Sequence, residues 1–301
     1  MENAKPVLVV GATGFLGTEL CNQLLASGKK LKALVRKNSD PTKIKQLQER
    51  GVETVTGDLK DVDSLLSACK DVGAVISTAS STLSRQEGDS IETVDRQGQL
   101  NLVDAAAKNG VEKFIFISFL ESKQSFPLQD AKREVEQRLI DSKMNYTILR
   151  PSFFMEVWLS PHLGFDPANH KATIYGHGAA KVSWIAIKDV AAFAVASLTN
   201  PAASNSIIDI GGPQALSPLE VVKIFEEQAG RTFELQYVPE EALRTQKEVS
   251  PDPLQQSFSA LMLFLNQGPE VQMDELLELF PLKLTSVLDY SHMLMAGQVE
   301  A

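Results

Sequence analysis

Val7-Leu8-Val9-Val10-Gly11-Ala12-Thr13-Gly14-Phe15-Leu16-Gly17 is the stretch that decides the fold. Four apolar residues run into a glycine, and from Phe15 apolar residues recur at helical spacing as far as Ala26, before Gly28. A strand, a glycine turn and a helix therefore follow one another directly. Gly11 permits the tight turn, Gly14 admits a pyrophosphate close to the backbone, and Gly17 lets the helix lie against the sheet. The helix N-terminus then offers free N–H groups and the positive end of its dipole to phosphate. The cradle so formed comprises Gly11, Thr13, Gly14, Phe15, Leu16 and Gly17, and its expected ligand is a dinucleotide. A plain strand–helix turn is the competing reading.

The same alternation continues outward. Apolar runs at residues 31–35, 52–56, 74–77, 113–118 and 146–149 read as further strands. Helical patterns lie between them at 41–51, 62–69, 91–108 and 128–141. Strands this short and apolar, each followed by a helix, require a parallel sheet covered on both faces, and right-handed crossovers make it doubly wound. The rhythm breaks after Pro151. Residues 152–181 are rich in Gly and Pro and hold His162, His170 and His177, which reads as a functional loop region. A helix at 191–198 and a strand at 207–210 restore the pattern, and helices follow near 219–228 and 254–266. The expected division is a nucleotide-binding domain at 1–151 continued by 182–212, with a smaller substrate lobe from 152–181 and 213–301.

Composition excludes several classes of function. Of 301 residues, 44% are hydrophobic and 22% charged, which is enough apolar material for a large core. The net charge of −9 lacks the field that a nucleic-acid backbone needs. Two cysteines, Cys21 and Cys69, are too few for a disulfide framework or a thiolate zinc site, and no metal site is expected. No apolar run approaches the ~20 residues of a membrane span, and the opening residues show no secretory or transit pattern. A cytoplasmic protein is the expectation.

The end of the second strand bears on which dinucleotide binds. About 20 residues beyond the glycines, where an NAD-preferring site places a carboxylate, stand Arg36 and Lys37. A guanidinium holds a 2′-phosphate through paired hydrogen bonds, so NADP is expected, with NADPH preferred over NADH. A solvated surface arginine is the alternative.

Taken together, VLVVGATGFLG, ALVRK, VTGDLKD, AVISTAS, KFIFISF, AKREVE and ILRPSFFME resemble the NmrA-like group of atypical short-chain dehydrogenases/reductases. That group includes isoflavone reductase-like and quinone or azo-dye reductase-like proteins. The resemblance covers about the first 210 residues and does not specify a substrate. It implies that Asp58 and Leu59 contact the adenine, that Ser77, Thr78 and Ala79 make room for the nicotinamide ribose, and that Pro151, Ser152 and Phe153 flank the nicotinamide. Asp58 reads equally well as part of a helix N-terminal turn, and Phe153 as a core residue.

The catalytic pattern departs from the superfamily standard. The usual Tyr, one helical turn before the Lys, is replaced by Leu128, while Lys132 and Ser118 remain as the candidate catalytic residues. Lys132 can bind ribose hydroxyls and carry positive charge near the reacting centre. Without a phenol the usual proton donor is missing, which favours acceptors whose reduced anion is already stable. His162, His170, Tyr175 and His177 are alternative donors, although solvated loop side chains are the simpler reading. Asp189, ahead of an apolar helix, reads as a helix cap. Two functions follow: an NADPH-dependent reductase of a small conjugated or quinone-like acceptor, or a non-catalytic NADP-binding redox sensor, regulator or assembly factor with a protein partner.

Overall fold

The structure is a computed structural model that describes residues 5–83 and 86–297; the reading of the first four residues lies outside it. Two compact units are present. The first comprises residues 1–118, 127–149 and 191–208; the second comprises 119–126, 150–190 and 209–301.

In the first unit β1 (Val7–Val10), α1 (Phe15–Ala26), β2 (Leu31–Val35), α2 (Pro41–Glu49), β3 (Glu53–Thr56), α3 (Val62–Ala68) and β4 (Ala74–Ser77) alternate as the sequence requires. α4 (Gln97–Lys108), β5 (Lys113–Ile117), α5 (Pro127–Asp141) and β6 (Asn145–Pro151) continue the series. With β9 (Ser206–Ile210) these strands form a seven-stranded sheet in the order β3-β2-β1-β4-β5-β6-β9, and the pairs from β3 to β6 all run parallel. This is the doubly wound, Rossmann-like α/β fold. β1, β2, β4 and β5 are buried along their whole length, as strands covered on both faces must be. Cys21 in α1 and Cys69 at the end of α3 are free and fully buried.

One expected helix differs. Residues 91–108 are not a continuous α-helix: Ile91–Arg96 is π-helical and α4 starts only at Gln97. A reciprocal box between Ser90 and Thr93 fixes its start. Gly98 then lies so close to Leu59 that an added Cβ would come within 2.8 Å of its side chain. π-turns of this kind gather at functional sites.

The second unit contains more regular structure than its sequence announces. α6 (Met155–Trp158), β7 (Phe165–Asp166) and β8 (Lys171–Tyr175) lie inside the stretch read as loop. β8 pairs with β7 and with β10 (Glu234–Val238) in a three-stranded sheet. α7 (Ile187–Ser197), α8 (Pro218–Ala229), α9 (Glu240–Val249), α10 (Pro253–Gln267), α11 (Asp274–Leu279) and α12 (Val287–Met295) follow in sequence. The apolar centre gathers Phe153, Phe165, Trp184, Phe225, Phe264 and Tyr290. Of residues 182–212, expected to continue the nucleotide domain, 182–190 and 209–212 group with this second unit. Bridges Val182↔Leu216 and Phe154↔Ile185, with the Trp184 indole donating to the Leu216 carbonyl at 2.8 Å, tie residues 182–190 here.

Candidate functional site

The strand order reverses direction between β1 and β4, and in open α/β sheets the ligand crevice lies beyond the carboxyl ends of the strands at that point. There Gly11 turns with φ +89°, and an added Cβ would come within 2.6 Å of Thr78 Oγ1 and 2.9 Å of the Ala79 nitrogen. Gly17 packs tighter still, since a Cβ would stand 2.0 Å from the Gly11 carbonyl oxygen. Gly14 differs from both. Its backbone is ordinary (φ −80°, ψ 172°), and a Cβ would meet only the Gly11 oxygen, at 3.3 Å. Gly14 is also the N-cap of α1 and supplies no side-chain cap. Glycine is therefore needed at positions 11 and 17 for packing, and at 14 for space on the open side. Phe15, the next residue, is 61% exposed there. Lys43 reaches back from α2 to the Thr13 carbonyl at 3.1 Å. These features suit a bound pyrophosphate, and the residues present fit a dinucleotide.

The neighbouring strand ends show which side chains are free to meet a ligand. Thr78 donates its hydroxyl to the Val10 carbonyl at 3.2 Å. Ser77 is fully buried and donates to Gln99 Oε1 at 2.8 Å, while Gln99 donates in turn to the Ala79 carbonyl at 2.8 Å. Leu59 is buried in the core, and its carbonyl accepts from Asn101 at 3.3 Å. The side chains of Ser77 and Leu59 are thus both buried, the first hydrogen-bonded to Gln99 and the second packed in the core. Asp58 accepts the Lys60 backbone N–H at 2.9 Å, and Asp61 is the residue that caps α3.

At the end of β2, Lys37 is exposed and Arg36 is not isolated. Arg36 Nη1 and Lys60 Nζ each stand 2.5 Å from an oxygen of the Asp89 carboxylate. Lys60 and Asp89 were not legible as a pair with Arg36, because nothing local links residues so far apart.

Lys132 reaches the end of β5, and Ser118 directly follows that strand. Lys132 is buried, donates to the Ile117 carbonyl at 3.2 Å and lies 5.0 Å from the centre of the Phe116 ring. Burial pushes its pKa down from 10.5, the Asp95 and Glu136 carboxylates push it up, and Arg133 pushes it down. Ser118 Oγ accepts from Arg133 Nη1 at 3.3 Å, and Arg133 pairs with Glu136. Asp95, at the end of the π-helical turn, accepts the Ser81 amide at 3.0 Å and the Ser81 hydroxyl at 2.5 Å through one oxygen. Its other oxygen is buried without a partner among the described residues. Leu128 is buried in the helix that carries Lys132.

The second unit holds the remaining candidates. Pro151 ends β6, and the Ser152 amide donates to the Ile210 carbonyl at 2.8 Å. The Ser152 hydroxyl is buried and has no partner among the described residues. Phe153 packs edge-on against Trp158 and Trp184 and tilts against Phe264, a core position. Tyr175 donates to the Leu163 carbonyl at 3.0 Å, and His177 Nδ1 accepts the Ala179 amide at 3.0 Å. The His170 ring packs on Phe233. A hollow lined by Trp158, Phe165, Thr173, Tyr175 and Trp184 is only about 30 Å³, room for one water and not for an aromatic acceptor. Asp189 is not the helix cap expected of it: it accepts from the Thr285 amide and hydroxyl, at 2.7 and 3.0 Å. Among the described residues no group of His, Cys, Asp and Glu could hold a metal, and no helix is long and apolar enough to cross a membrane.

A profile of the NmrA-like family matches residues 3–293. The chain belongs to the NmrA-like family. Within that family it is 34% identical over 230 residues to an NAD(P)H azoreductase of Xenophilus azovorans, covering 75% of this chain and 74% of the relative. It is 30% identical over 241 residues to the photosystem II assembly factor Ycf39 of Synechocystis, covering 79% and 72% of the two. The solved structure of AtPrR2 with NADP⁺ and (+)-pinoresinol superimposes with a TM-score of 0.78 at 25% identity, over 97% of this chain and 99% of that one. The NmrA-like relatives thus include NAD(P)H-dependent reductases as well as an assembly factor.

Proposed function

We propose that the protein is an NADPH-dependent reductase of a small conjugated or quinone-like acceptor. The observation that carries this reading is Lys132: a buried ammonium beside the Ile117 carbonyl and within the field of Asp95, at a carboxyl strand end of a sheet with a dinucleotide cradle. When bound, NADPH supplies a hydride. Backbone N–H groups at the start of α1 hold its pyrophosphate, and Arg36 with Lys37 meets the 2′-phosphate. Thr78 and the Ala79 backbone would leave room for the nicotinamide ribose, and Lys132 would bind the ribose hydroxyls. The lowered pKa of Lys132 makes its ammonium a readier proton donor than an exposed lysine. A quinone or azo acceptor, whose reduced anion is delocalised, suits a site in which Leu128 offers no phenol.

Leu128 and the kinship with an assembly factor favour a second reading, in which the chain binds NADP and reports its redox state to a protein partner. A panel of quinones, azo dyes and conjugated carbonyls, followed by loss of reduced-nicotinamide absorbance, separates the two. Turnover with any acceptor supports the reductase. Tight NADPH binding with no turnover supports the second reading.

A further inference from the structure

The side chain of Asp89 is 1% exposed, the sort of burial an ionised carboxylate tolerates only with firm partners. Its two oxygens are divided between Arg36 and Lys60, at 2.5 Å each. The backbone fixes it there. Gly88 turns with φ +78°, its carbonyl accepts the Thr93 hydroxyl at 2.8 Å, and the Asp89 amide donates to the Gln86 carbonyl at 3.1 Å. Ser90, immediately after, is the N-cap of the π-helical turn. Arg36 is anchored likewise, its amide donating to Ser39 Oγ at 3.0 Å. Lys60 Nζ lies 3.7 Å from a second carboxylate, that of Asp58. Among the described residues Arg36 and Lys60 thus face Asp58 and Asp89, and a carboxylate already sits where a phosphate edge would bridge guanidinium and ammonium.

We infer that Asp89 is a specificity-determining residue that competes with the nucleotide 2′-phosphate for Arg36 and Lys60. This rests on the assignment of Arg36 to the 2′-phosphate made above. A 2′-phosphorylated nucleotide must draw the cations away from Asp89 or bind beside its negative charge. A nucleotide with a free 2′-hydroxyl leaves the pair intact. Asp89 therefore narrows the preference for NADPH over NADH that Arg36 creates.

The test is calorimetric titration with 2′,5′-ADP and 5′-AMP, which differ in the 2′-phosphate and need no turnover. Asp89→Asn is expected to bind 2′,5′-ADP about tenfold more tightly and 5′-AMP within about twofold of wild type. Unchanged or weaker binding of 2′,5′-ADP overturns the proposal, since Asp89 would then only buttress Arg36; an equal gain for both nucleotides overturns it as well. Asp89→Ser repeats the test without the amide, and melting of the unliganded variants shows that they are folded. Arg36→Ala separates the underlying assignment. If it leaves 2′,5′-ADP binding unchanged, the assignment of Arg36 falls and the proposal with it. If it weakens binding while Asp89→Asn does not tighten it, only the role of Asp89 falls.

Discussion

Glu156 receives the Ile187 amide on both carboxylate oxygens, each at 3.0 Å, and so closes the N-terminus of α7 from a different segment of the chain. Burial pushes its pKa up to about 7, against the lowering effect of these backbone bonds. A raised carboxylate pKa means that the folded protein holds a proton that the unfolded chain has released. Stability therefore falls as pH rises from the ordinary 4.5 toward about 7, by up to about 3 kcal/mol. Glu156→Gln should flatten that slope and leave the variant more stable than wild type above neutrality. Melting temperatures of both proteins across this window check it; parallel curves would remove Glu156 as the cause.

Glycine positions 14 and 17 should separate binding from folding. Gly17→Ala forces a Cβ to 2.0 Å from a carbonyl oxygen and should cost at least about 1–3 kcal/mol of stability. Gly14→Val brings its Cβ within 3.3 Å of one oxygen, a tight contact that a small shift relieves, so it should stay folded while losing NADPH binding. Denaturant melts paired with nucleotide titration distinguish the two. Retained affinity in Gly14→Val would refute the phosphate cradle.

Lys132→Ala removes the buried ammonium beside the Ile117 carbonyl. Single-turnover hydride transfer to a quinone at saturating NADPH should slow by about 10²-fold, the lower range for a lost acid–base group. Equal rates would take Lys132 out of the chemistry.

Leu128→Tyr restores the superfamily side chain but enters a site that is 3% exposed. Overpacking should lower stability by about 1–3 kcal/mol, so any gain toward simple carbonyls comes in a weaker fold. An unchanged melting temperature would show that the phenol finds room in the cleft.

The strand–turn–helix was legible because its three parts follow within eleven residues and Gly17 packs on Gly11 and Ala12 inside that stretch, whereas Gly11 is also hemmed in by the distant Thr78 and Ala79. The parallel sheet was legible for the same reason, since each buried strand declares itself by its own apolar run. What escaped notice depends on distant partners. Gly98 lies against the distant Leu59, and Asp89 meets Arg36 across 53 residues. β10 alternates too weakly in burial to stand out, and it acquires its identity from β8. Asp189 had the sequence of a cap, but Glu156 holds that post, through a tertiary contact that no local pattern announces.

The two buried cysteines bear on what such a protein can survive. Burial holds the Cys21 and Cys69 thiols up to about 12, so near neutrality almost none of either is thiolate. Quinones arylate thiolates, and peroxides formed by redox-cycling acceptors oxidise them. A chain whose cysteines are both protonated and shut inside its helices offers neither reagent a target. On the reductase reading, neither cysteine would be lost to such acceptors during turnover.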